Sequence, residues 1–172
     1  KQILDKFTEY INVYSKYLNI PNMDKFSLSK NTTIDDLSNI SFFNQHIYPE
    51  IDSMQLEINS ILDFISKYID YFSAIIDKKS SDKGGKMLKL EYNEKRNWYI
   101  SLTKKRSQTL LNRLSNFKYN KNNAFNVHNL NLEKGKLAFS SLSGSSVNVI
   151  YNPINDKLSK LFILSRNINS LI

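Results

Sequence analysis

Residues 49–77 read PEIDSMQLEINSILDFISKYIDYFSAIID, and in this stretch Ile51, Met54, Ile58, Ile61, Ile65, Ile69, Phe72 and Ile76 recur at threes and fours. That spacing lays one apolar stripe along a helix for about seven turns. Pro49 suits the first turn, where its missing N–H has no intrahelical partner to lose. A helix from Pro49 to Asp77 is roughly 43 Å long at 1.5 Å per residue, whereas a compact globule of 172 residues has a radius of gyration of about 16 Å. The spacing therefore predicts an extended, rod-like helix that carries something at its far end.

Downstream the pattern changes. Lys78 to Lys86 (KKSSDKGGK) is a polar loop broken by Gly84-Gly85. Leu88, Leu90 and Tyr92 then alternate with Lys89 and Glu91, and Trp98, Ile100 and Leu102 alternate with Tyr99, Ser101 and Thr103. Two period-two runs joined by the polar turn Asn93 to Asn97 predict a β-hairpin. Ser107 to Phe117 returns to helical spacing through Leu110, Leu111, Leu114 and Phe117, and the Asn-rich Lys118 to Asn131 reads as a loop. Leu137 to Ser141 and Val147 to Tyr151, flanking Ser143-Gly144-Ser145-Ser146, predict a second hairpin. Asn152-Pro153 opens a last helix with Ile154, Leu158, Leu161, Ile168 and Leu171 on one face.

Upstream, Ile3, Phe7, Ile11, Tyr14 and Leu18 form the stripe of a first helix, which Asn19 to Asn22, with Pro21, brings to an end. Asn31 to Thr33 precede a run, Ile34 to Leu37, of one or two helical turns. The expected class is α+β: long antiparallel helices carrying a small four-stranded antiparallel sheet, with one short helix between its hairpins. The expected segments are helical over 1–77, strand-bearing over 78–152 and a returning helix over 153–172.

A length of 172 residues fits one structural unit or two small ones. Apolar and charged fractions of 41% and 23% allow a filled core, so the chain is not a disordered tail. The absence of cysteine excludes disulfide scaffolds, thiolate nucleophiles and Cys-ligated zinc, and is compatible with a reducing interior. No apolar run reaches the eighteen residues or so of a spanning helix, and an intracellular location without membrane insertion is expected. The chain begins at Lys1 without an initiator Met, as a piece of a longer protein does.

Twenty-four Lys and Arg against sixteen Asp and Glu leave +8. The excess is localised: by count, residues 1–77 carry −5, residues 78–136 carry +11 and residues 137–172 carry +2. A polyanion should therefore meet the strand-bearing part and not the helical arm. Catalytic constellations are missing. His46 and His128 lie far apart, without a second His at helical spacing. Gly84-Gly85-Lys86-Met87 and Gly135-Lys136 lack the remaining residues of a phosphate-binding loop, and Asp35-Asp36 suits helix capping. Neither catalysis nor a metal or cofactor site is expected within these residues.

The order of elements and several strings resemble the lever and clamp region of the MutS DNA mismatch-repair family. Phe42-Phe43 followed by Ile47-Tyr48-Pro49-Glu50-Ile51-Asp52 resembles the start of that family's lever helix. Leu88 to Thr103 (LKLEYNEKRNWYISLT) is similar to the first clamp hairpin, although Arg96-Asn97 stand where the family usually has Gly before the aromatic pair. Gln108-Thr109-Leu110 with Asn112 matches an Arg-Gln-Thr-Leu-x-Asn string, with Arg106 displaced by one position. Lys136 to Tyr151 resembles the second pair of clamp strands. The likeness runs from Phe42 to the end, and the Lys, Asn and Ile bias fits members carried by large DNA viruses or organelles.

The resemblance implies a fragment that grips the backbone of duplex DNA without reading bases and is indifferent to mismatches. It places Lys95, Arg96, Lys104, Lys105, Arg106, Asn112 and Arg113 against phosphates. For the parent protein it implies an ATPase using ATP and Mg2+, acting as a homodimer through parts outside these residues. Gln108 and Thr109 suit either the backbone or their own helix. An alternative reading is a structural coiled-coil and β adaptor that docks an acidic protein on the basic insert. A third is a single-strand or RNA binder that stacks bases on Trp98 and Tyr99; strand alternation instead puts Trp98 with the core and Tyr99 on the other face.

Overall fold

The computed structural model describes residues 2–23, 37, 42–77, 87–116 and 137–171. The chain divides into one unit formed by Lys1–Ser60 with Ile163–Ile172 and another formed by Ile61–Phe162. The expected loops at 78–86 and 118–131, the turns at 31–36 and the residues Phe117 and Lys136 lie outside the described residues.

The first unit holds α1 (Gln2–Tyr17), α2 (Ile20–Met23) and the start of α3 (Pro49–Ile76). α1 ends one residue before the expected limit, and its last carbonyls are satisfied from afar. The Asn44 side-chain amide donates to Ser15 O at 2.8 Å and Lys16 O at 3.1 Å, while Asn44 N donates to Tyr17 O at 2.9 Å. Leu18 and Phe43 form an isolated antiparallel bridge beside this cap. The helix thus has partners for the carbonyl groups that every helix end leaves open. Its apolar stripe is uncovered: Phe7 is 66% exposed and Ile11 and Tyr14 about half exposed. Leu37 is fully buried, and its carbonyl accepts from Gln55 Nε2 of α3 at 3.1 Å. At the entry to α3, His46 takes a left-handed φ of 70°, and its N–H donates to Asp52 Oδ2 at 2.6 Å.

In the second unit, residues 61–76 of α3 continue the stripe, with Ile61, Ile65, Ile69 and Phe72 buried. Burying such side chains stabilises by about 1.5–3 kcal/mol each. Four strands follow, β1 (Lys89–Asn93), β2 (Asn97–Thr103), β3 (Ala138–Ser141) and β4 (Ser146–Ile150), in the order β1-β2-β4-β3, all antiparallel. Between the hairpins runs α4 (Lys104–Asn116), and α5 (Asn152–Leu171) comes last. One sheet face is closed, since Trp98, Ile100, Leu102, Val147 and Val149 are buried. Tyr151 packs on Tyr68 with ring centroids 5.8 Å apart, and Lys157 Nζ lies 5.7 Å from the Phe64 ring. These two contacts set the start of α5 alongside α3 in the opposite direction. The α+β class with a four-stranded antiparallel sheet is the one expected.

Two local features differ from the sequence reading or complete it. α4 starts at Lys104, three residues before the expected Ser107, because Thr103 acts as its cap: Thr103 Oγ1 accepts from Arg106 N at 3.3 Å. In the first hairpin Asn97 takes φ 59°, the left-handed region open to Gly and, among other residues, most readily to Asn. Asn93 Oδ1 accepts from Lys95 N and Arg96 N at 3.1 and 2.8 Å, which fixes the turn. Asn97 therefore takes a backbone conformation that glycine adopts without steric cost.

Candidate nucleic-acid interface

The seven proposed backbone-binding residues all fall in the second unit, on the β1–β2 turn and on α4. Lys95 and Arg96 project from the turn and are exposed. Lys104 and Lys105 are exposed on the first turn of α4. The two pairs stand at opposite ends of β2, and a strand of that length separates them by roughly 25 Å at 3.3 Å per residue. They form two cationic ends, not one cluster. Along a single DNA strand about seven phosphates fit in that interval.

The arginines of α4 are otherwise engaged. Arg106 Nη1 donates to Met87 O at 3.3 Å, and Arg113 Nη1 donates to Ile75 O at 2.8 Å. The second bond places a guanidinium on a carbonyl of the last turn of α3, a helix with no basic residue of its own there. Asn112 Oδ1 accepts from Gln108 Nε2 at 3.1 Å on the exposed side, and Thr109 Oγ1 bonds back to Lys105 O at 3.0 Å. Gln108 and Thr109 thus both bond within their own helix.

Electrostatics single out the start of α4. Its first turn carries Lys104, Lys105 and Arg106 and no carboxylate. A helix N-terminus is the positive end of the macrodipole and favours anions, so cations there cost stability unless an anion meets them. Ser145, from the β3–β4 turn, accepts from Lys104 N at 2.8 Å and brings an exposed Ser143-Gly144-Ser145 turn beside these lysines. Gly144, at φ 62°, has open space where a Cβ would stand. Residues 87–116 carry seven Lys and Arg against two Glu, a net +5.

Trp98 is 4% exposed and packs on Tyr92 with ring centroids 5.3 Å apart, which removes it from base stacking. Tyr99 lies half-buried on the other face; burial, then the Glu91 carboxylate opposite it, raises its phenol above the ordinary range. Sequence reasoning passed over two positions. Lys89 is exposed, on the face it shares with Glu91, and the alternation that put Leu88 and Leu90 inward already pointed it outward. The Ser143–Ser145 turn gave only a hairpin signal, because its place beside Lys104 depends on the pairing of β2 with β4.

Among the described residues no helix is long and apolar enough to cross a membrane. No protein-family model matches the chain. The chain is 24% identical over 172 residues to a DNA mismatch repair protein MutS homologue of Acanthamoeba polyphaga mimivirus, a match that covers 99% of this chain. The chain spans 15% of the length of that relative, a distant likeness to one segment of a MutS-type protein.

Proposed function

We propose that this chain binds the backbone of duplex DNA independently of sequence, as the clamp-bearing part of a MutS-like mismatch-repair protein. The observation that carries the reading is the first turn of α4, where Lys104, Lys105 and Arg106 crowd the positive end of a helix that lacks a carboxylate there. Residues that break a local stability rule mark places where a partner supplies the compensation. A phosphate is the fitting partner. The likeness to a mimiviral MutS homologue supports duplex DNA as the source of the phosphates. Lys95 and Arg96 give the second contact, and Arg106 and Arg113 hold α4 in place through Met87 and Ile75. In a parent protein of this kind, ATP and Mg2+ would act in another part of the polypeptide, and a homodimer would set two such arms around one duplex.

The test is fluorescence anisotropy with a three-turn duplex across a salt series. Four cations that each neutralise a phosphate predict micromolar or weaker binding with a log K against log salt slope of about −3.6. Matched and mismatched duplexes should bind alike. Absence of binding at about 50 mM salt, or binding without salt dependence, would refute the proposal.

A further inference from the structure

Exposed apolar surface is unevenly shared between the two units. Of the thirteen large apolar side chains that the described residues leave exposed, six stand on α1 and only Leu111 belongs to the second unit. Phe7, Tyr10, Ile11, Val13, Tyr14 and Tyr17 are between 48% and 66% exposed. At about 3.6 residues per turn all but Val13 share one face, Val13 and Lys6 border it, and Asp5, Glu9, Asn12 and Lys16 lie opposite. An exposed apolar patch rimmed by polar residues marks an interaction site. α1 carries two carboxylates, Asp5 and Glu9, against two ammonium groups, Lys6 and Lys16, so it is neutral in a chain of +8.

We infer that α1 pairs with α1 of a second copy of this chain, antiparallel about a two-fold axis level with Asn12. Phe7, Tyr10, Tyr14 and Tyr17 follow one another at three, four and three, the spacing of a two-helix seam. About that axis Phe7 comes level with Tyr17 of the second copy and Tyr10 with Tyr14, so every aromatic of the stripe meets another. The neutrality of α1 lets two such helices meet, whereas like charge elsewhere on the chain keeps copies apart. Antiparallel order opposes the two helix dipoles and holds the bordering Lys6 of each copy about 18 Å apart; parallel order would set Lys6 against Lys6. At about 200 Å² for a whole aromatic side chain, the exposed parts of the four rings amount to about 470 Å² per copy. The pair then buries about 1,000 Å², the lower bound for a specific interface, so the dimer is weak and reversible, with Kd on the order of 100 μM. A lipid surface matches less well, since helices that lie on membranes carry a polar face rich in Lys and Arg and that of α1 is balanced. Pairing does not require DNA.

Sedimentation velocity on the full chain without DNA, from about 5 to 500 μM, should show a monomer–dimer equilibrium. An apolar seam should persist when salt rises from about 0.1 to 0.5 M, unlike association through the basic residues. Tyr10→Glu with Tyr14→Glu puts two carboxylates into each central layer and should weaken dimerisation at least tenfold. Both side chains are more than half exposed in the single chain, so the variant should keep the parent's circular dichroism. Tyr10→Glu with Tyr14→Lys sets Glu opposite Lys across each central layer and should recover part of the loss. The chain has no cysteine, so a mixture of Tyr10→Cys and Tyr14→Cys chains should oxidise to the mixed disulfide in preference to either like pair. A parent that stays monomeric at about 500 μM overturns the inference. So does a dimer that the double Glu variant forms as readily, or one lost with Lys104→Gln and Lys105→Gln instead. Like-pair disulfides alone overturn the antiparallel register. A monomeric parent that sediments with phosphatidylserine vesicles assigns the stripe to lipid and overturns the pairing too.

Discussion

Replacing Lys104 and Lys105 together by Gln should weaken DNA binding and stabilise the protein at once. Both lysines are exposed in the first turn of α4, capped by Thr103 and free of carboxylates. With Lys95 and Arg96 they make four cations, and four neutralised phosphates give a salt slope of about −3.6, which falls to about −1.8 in the double variant. Between 50 and 200 mM salt the parent should lose about 150-fold in affinity and the variant only about 12-fold. Removing two charges from the positive end of a helix returns about 0.3–1 kcal/mol each at low ionic strength. The melting temperature should therefore rise by a few degrees. Anisotropy titrations and thermal melts on the same samples read both effects. An unchanged slope would refute phosphate contact by this pair. A lower melting temperature would refute the helix-end reasoning that led to it.

Arg113→Ala should do the opposite: loss of the charged hydrogen bond to Ile75 O costs about 2 kcal/mol and lowers Tm by about 4–8 °C, with the salt slope unchanged. Burial, and after it the neighbouring Tyr151, pushes the Tyr68 phenol up to about 12. The folded phenol keeps its proton where the unfolded one ionises, so this contribution is whole below about pH 10 and lost as pH climbs towards 12. Tyr68→Phe should make the alkaline decline of Tm shallower, and an identical decline would count against that origin. Asn97→Gly should leave stability nearly unchanged, whereas Asn97→Val should cost about 1–2 kcal/mol by urea denaturation, because a β-branched residue resists a φ of 59°.

Much of the fold was legible because burial imposes a period. The stripe from Ile51 to Ile76 and the alternations around Leu90 and Ile100 gave α3 and the first hairpin to within a residue or two. The start of α4 was not legible from apolar spacing, since Lys104 to Arg106 contribute none; Thr103 ahead of them was the signal, as a cap. Periodicity also says nothing of what covers a stripe, and that of α1 stays exposed. In the candidate site, charge counting found every exposed cation except Lys89. It could not tell a lysine in water from an arginine on a carbonyl, because Arg106 and Arg113 bond to residues 19 and 38 positions away. Cross-strand neighbours were hidden for a similar reason: Ser101, Asn148 and Ser140 come together only through strand pairing.

Among the described residues, the Asn44 cap decides where the chain yields first. From Asp5 to Tyr17 every described side chain of α1 is exposed, so little apolar area leaves water when that helix forms. What holds its end is the short bridge at Leu18 and one amide 28 positions downstream. Such an element opens on its own at a small fraction of the global unfolding free energy. A protease present at low level would nick near Tyr17 to Ile20 long before it reached the Ile stripe of α3, and the amides of α1 would exchange with deuterium well before those of α3.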